Sequence, residues 1–216
     1  MIDAVNKAFL FISKGGWLMI PIILCSVISF AIIIERFFFF LRLSACRKEA
    51  VLKDVFDNVG SDKYNQAIEV CENNPHYITN ILKSGLYKHD RSGEIIREVM
   101  EKTSLYQIPL LEKNLTFLST LAHISPLLGL LGTVVGLVKS FYNIEQKAGS
   151  AGVINPSDIA GGIWEALLTT VAGLTVAIVC YIAYNYFVHK VNMCILEAEK
   201  TATELHEMIM EKHHPN

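Results

Sequence analysis

Residues 125–140, SPLLGLLGTVVGLVKS, decide how the rest of the chain reads. They belong to a stretch without a charged side chain that runs from 114 to 138. Crossing a bilayer's hydrocarbon core takes about 20 apolar residues, so this stretch is long enough to span. A plain anchor would need only Leu and Val, yet this one carries Pro126, Gly129, Gly132, Thr133 and Gly136. Helical spacing brings the three glycines and Thr133 close to one face. Small residues let another helix backbone approach, and in lipid it is packing that drives helices together. By itself the stretch reads as a helix-packing seam whose threonine bonds back to its own backbone.

Two more spans flank it. Residues 17–34 are uncharged and become long enough once 37–41 extend them. Pro21 lies near their start, where proline costs least. Glu35 and Arg36 then precede four phenylalanines and the cations Arg42, Arg47 and Lys48, which reads as an aromatic belt and a basic rim. Residues 166–188 form the third uncharged run, preceded by Glu165, with a small-residue stripe of Ala166, Thr170, Gly173, Ala177 and Cys180. Beyond His189 the helical pattern continues through Val191, Ile195, Ala198, Ala202, Leu205 and Ile209, so this helix is expected to leave the membrane as an amphipathic rod.

The predicted division is an amphipathic helix over 1–16, spans over 17–41, 114–142 and 163–188, a polar helical region over 42–113, a loop over 143–162 and a helical tail over 189–216. Residues 1–16 lack a basic start and a small-residue cleavage site, so they are expected to stay on the chain and lie on the membrane surface. Within 42–113, apolar stripes fall at Tyr64, Ala67, Ile68 and Cys71, at Ile78, Ile81 and Leu82, and at Ile95, Ile96, Val99 and Met100. The last is expected to run through Pro109 into the second span with a kink there. The loop reading of 143–162 rests on Gly149, Gly152, Pro156 and a helix start at Ser157 and Asp158. Lysine and arginine are denser after the first span than before it, which places 42–113 and the C-terminus in the cytoplasm and the N-terminus outside.

Composition excludes several classes. A hydrophobic fraction of 52% is too high for an ordinary soluble domain, and a net charge of −2 gives no basic footprint for nucleic acid. The five cysteines form no CxxC pair and read as free thiols, with no metal-ligand spacing. GTVVGLVKS is not a phosphate loop, because its lysine does not follow the glycine. No zinc-protease or nucleophile-elbow motif occurs, so an enzyme is not expected.

The second and third spans run antiparallel, and their charged ends fix depth. Thr133 lies six residues before Lys139, about 9 Å, and Thr170 five residues after Glu165, about 7.5 Å. Two hydroxyls at one depth under a carboxylate read equally as a polar lining or as a packed seam with Glu165 in headgroups.

SPLLGLLGTVVGLVKSF, GIWEALLTTVAGL and YNYF resemble the MotA/TolQ/ExbB family of proton-channel proteins, and Glu35–Arg36 is similar to its ExbB/TolQ branch. The resemblance covers all three spans. It implies an all-α membrane protein, a pentamer around a central pore that holds two copies of a single-span ExbD/TolR-like partner, in a bacterial inner membrane. It further implies that Thr133, Thr170 and Glu165 belong to the ion pathway, that Pro126, Gly129, Gly132, Gly136, Gly173 and Ala177 shape helix packing and pore, and that Tyr184 and Asn185 form a polar pair near the inner end. H+ is the implied driving ion, with no bound cofactor. His123 and Thr169 depart from the family pattern. A histidine in a span offers a proton relay, but at the inner end it is expected to pack or to face the cytoplasm. A second hydroxyl at 169 opens a sodium alternative, although adjacent helical residues point about 100° apart and Thr169 is expected to pack against a neighbouring helix. The rival class is a non-conducting scaffold of the same three helices.

Overall fold

The computed structural model describes residues 15–45, 48–149 and 156–213; the expected surface helix over 1–16 falls on residues 1–14, outside them. Every regular element among the described residues is α-helical: α1 (Met19–Ala45), α2 (Lys48–Gly60), α3 (Tyr64–Asn73), α4 (Tyr77–Leu86), α5 (Gly93–Glu112), α6 (Leu115–Gly149) and α7 (Pro156–His213). Three of them, α1, α6 and α7, are long and apolar enough to cross a membrane. The 58 residues of α7 measure about 87 Å, nearly three hydrocarbon thicknesses, so much of this helix must lie outside a bilayer.

Two boundaries differ from the sequence reading. The helix over α5 does not kink at Pro109 and continue; it ends at Glu112, and Asn114 takes a left-handed backbone (φ 62°) that separates α5 from α6. Asparagine tolerates that conformation and glycine is not required. The Asn114 amide also donates to the Glu35 carboxylate at 3.1 Å. The loop expected over 143–162 is much shorter, since α6 runs on to Gly149 and α7 already begins at Pro156. Nothing between Asn143 and Ala148 breaks a helix, and proline suits a first helical turn.

The chain packs as two units, Met1–Arg36 with Asn114–Tyr186, and Phe37–Lys113 with Phe187–Asn216. In the second unit α2 packs on α3, α3 on α4, and α4 on α5. The three stripes read from the sequence supply its core: Ala67 and Cys71, Ile78, Ile81 and Leu82, Ile96 and Met100 are all buried. Helix α2, which the sequence pattern did not separate out, adds Val55 and Val59. The distal part of α7 buries Val191, Ala198, Leu205 and Ile209. Its contacts within the unit are specific. The Tyr77 hydroxyl donates to Glu197 at 3.0 Å, His206 Nε2 to the Gly93 carbonyl at 3.1 Å, and Lys212 Nζ to the Gly60 carbonyl and Asp62 at 2.7 Å each.

Burial raises the Cys71 thiol to about 11, with the Lys83 ammonium pulling the other way. The thiolate is the nucleophile, so at pH 8 the folded chain should alkylate at Cys71 about a hundredfold more slowly than an ordinary thiol. Mass spectrometry of the iodoacetamide adduct checks this. Rapid labelling of Cys71 in the folded protein would mean that this core opens readily.

Candidate ion pathway and helix seam

The site lies in the first unit, where α6 and α7 meet along their small residues. From Ser125 onward the buried positions on α6 are Ser125, Gly129, Gly132, Gly136 and Ser140; on α7 the small buried ones up to Cys180 are Gly162, Ala166, Thr169, Gly173, Ala177 and Cys180. Successive positions are three or four residues apart on both helices, which keeps one stripe facing a partner along its length. The backbones come very close. A Cβ added at Gly136 would stand 2.6 Å from the Gly162 carbonyl oxygen, one at Gly129 3.0 Å from the Thr169 carbonyl oxygen, and one at Gly173 2.5 Å from the Ser125 carbonyl oxygen. The glycines therefore join two spans of the same chain.

This phase corrects the stripe read from the sequence. Gly132 faces the side chain of Thr169, which is 0% exposed, so Thr169 occupies the seam of its own chain. Its hydroxyl donates to the Ala166 carbonyl at 2.8 Å. Thr133 and Thr170 stand one position further round, half-buried beside the seam. Thr133 donates to the Leu130 carbonyl at 2.6 Å. Thr170 lies within reach of two carbonyls, Gly129 at 3.1 Å across the seam and Ala166 at 3.2 Å on its own helix. In both cases the hydroxyl proton is given to backbone, which leaves oxygen lone pairs as acceptors.

At the upper end of the seam Glu165 is not a free carboxylate. Lys139 Nζ stands 2.7 Å from its Oε2. The carboxylate also lies against Gly16, which has φ 68° and where an added Cβ would overlap Glu165 Oε1. The sequence reading used Lys139 only as a depth marker and missed this partner. A signal was present, because Lys139 and Glu165 are the charges that end the two uncharged runs. At the same end of the seam, Ser140 Oγ donates to the Ile159 carbonyl at 3.2 Å.

The remaining expected residues fall as follows. Helix α6 passes through Pro126 unbroken, and the neighbouring Ser125 hydroxyl donates to the Leu121 carbonyl at 2.7 Å. Tyr184 is half-buried, and Asn185 is exposed with its amide donating to the Tyr181 carbonyl at 2.9 Å. His123 is exposed, and its Nδ1 donates to the Ser119 carbonyl at 2.7 Å. At the far end of α1, Arg36 is 2% exposed and grips Glu35 through Nε at 2.8 Å and Nη2 at 2.6 Å.

Residues 73–200, which include the whole seam, match the profile of the MotA/TolQ/ExbB proton channel family. The chain belongs to this family. Curated relatives carry ExbB names. The ExbB-like 1 protein of Synechocystis sp. is 34% identical over 176 residues, 81% of this chain and 68% of the relative. The biopolymer transport protein exbB1 of Vibrio cholerae is 30% identical over 164 residues, 73% of this chain and 69% of the relative. The ExbB protein of Aquifex aeolicus is 42% identical over a shorter stretch of 89 residues, 41% of this chain and 57% of the relative. As a member of the MotA/TolQ/ExbB family the chain is a membrane protein of the ExbB/TolQ-like branch, and the family is one of channels, not of enzymes.

Proposed function

We propose that this chain is the channel subunit of a bacterial inner-membrane complex that turns the proton motive force into work on a partner, energising transport or integrity of the outer envelope. Five copies surround a dimer of a single-span ExbD/TolR-like protein, with the N-terminus periplasmic and the tail of α7 cytoplasmic. The observation that carries this reading is the state of the two hydroxyls. Thr133 and Thr170 each spend their proton on a backbone carbonyl and offer acceptor lone pairs beside the seam. A protonated carboxyl from a partner helix is the donor that such acceptors suit.

No Asp or Glu occurs in 114–138 or 166–188. A proton needs a titrating group part-way across; hydroxyls do not titrate in the useful range, and the one histidine of these runs, His123, stands about 24 Å along α6 from Lys139, toward the opposite end of the span. Liposomes holding this chain alone should therefore show no potential-driven proton uptake, while the complex with its partner should. Robust uptake by the chain alone would place the titrating group here and remove the need for a partner. No uptake in either case would favour the scaffold. Thr169, enclosed against Gly132 with its hydroxyl turned to Ala166, offers no open oxygen for sodium, which supports H+ as the driving ion.

A further inference from the structure

The ion pair of Lys139 and Glu165 belongs neither to the seam's close backbone packing nor to the two hydroxyls below it. Its halves differ in freedom. The Glu165 side chain is 15% exposed and held against the backbone at Gly16, whereas the Lys139 side chain is 58% exposed on a flexible stem. The exposed aromatics Trp17, Tyr142 and Trp164 lie within three residues of Gly16, Lys139 and Glu165 in turn. Such side chains mark a membrane–water interface, so the pair stands at the mouth. Thr133 and Thr170 follow one to two helical turns deeper, about 7.5–9 Å along the helices.

We infer that Lys139 is a specificity-determining residue for cation entry, an inference that rests on the channel reading above. Paired, the lysine cancels the carboxylate at the mouth. Swung into solvent, it leaves a fixed negative charge above two oxygen acceptors. A charge at a mouth with low-dielectric walls concentrates cations. For a unit charge about 5 Å away at water's dielectric, the gain in local cation occupancy is about fourfold. Salt removes that gain, because the screening length falls from about 30 Å at 0.01 M to about 3 Å at 1 M.

The test uses the full chain in complex with its native partner, reconstituted in liposomes, with proton entry driven by a potassium diffusion potential and read by an internal pH dye. Lys139→Met and Lys139→Gln should each raise the initial rate about fourfold at 0.01 M salt and bring it back to the wild-type rate at 1 M, with unchanged oligomer mass. Lys139→Arg keeps the pair and should match wild type at both salts. A rate raised equally at both salts would mean that the pair only braces the helices, and an unchanged or lowered rate at low salt would mean that Lys139 does not set cation entry; either overturns the proposal. If the wild-type complex itself shows no uptake, the channel reading fails and this inference falls with it. Uptake by the wild type together with either of the former outcomes overturns the Lys139 proposal alone.

Discussion

Gly173→Val should separate α6 from α7. The first added carbon would stand 2.5 Å from the Ser125 carbonyl oxygen and 3.1 Å from Gly129 Cα, and both are backbone atoms that cannot rotate aside. Forcing methyl groups into a closed contact costs about 1–3 kcal/mol and more where backbone must shift. For a chain of 216 residues that corresponds to a fall of about 2–12 °C in the unfolding midpoint in detergent. Gly161→Ala is the control, because nothing lies within 4 Å of the added carbon and alanine favours helix by about 1 kcal/mol. Equal midpoints for the two variants would remove the seam from the account. Leucine at Gly132 or Gly136 should act in the same way, inside the chain first, with loss of the proposed pentamer as a consequence.

Thr170→Val should leave the fold in place and abolish energy-dependent function. The change keeps the side chain's shape and deletes the hydroxyl that reaches the Gly129 and Ala166 carbonyls. An interhelical hydrogen bond of this kind contributes about 0.6 kcal/mol in a membrane and at most about 1.7, too little to break assembly. Loss of a polar partner at a transfer step, by contrast, lowers the rate about tenfold or more. Thr170→Ser keeps the hydroxyl and should retain much of the activity. A purely packing threonine gives the reverse order, since valine fills the space and serine leaves a methyl-sized gap. Thr169→Val should be milder, because the Thr169 hydroxyl bonds back to its own helix inside the seam. Full transport by a Thr133→Val, Thr170→Val double variant would leave neither hydroxyl in the path.

The sequence by itself determined the three apolar helices, because absence of charge over about 20 residues is a property of composition that no packing can undo. It also determined the stripes of α3, α4 and α5 and the long apolar line down α7, since a repeat of three and four residues has one helical face to bury. The tertiary structure decided the rest. Gly132 and Thr133, like Thr169 and Thr170, are neighbours that differ by about 100° of rotation. Either of each pair fits a small-residue stripe, and only the partner helix fixes which one turns inward. The break at Asn114 goes with a side chain that meets Glu35 from far away in sequence, and the shortened connection before Pro156 with helices that propagate until something stops them. The Lys139–Glu165 pair was decided last of all, because two charges 26 residues apart meet only when antiparallel spans set their register.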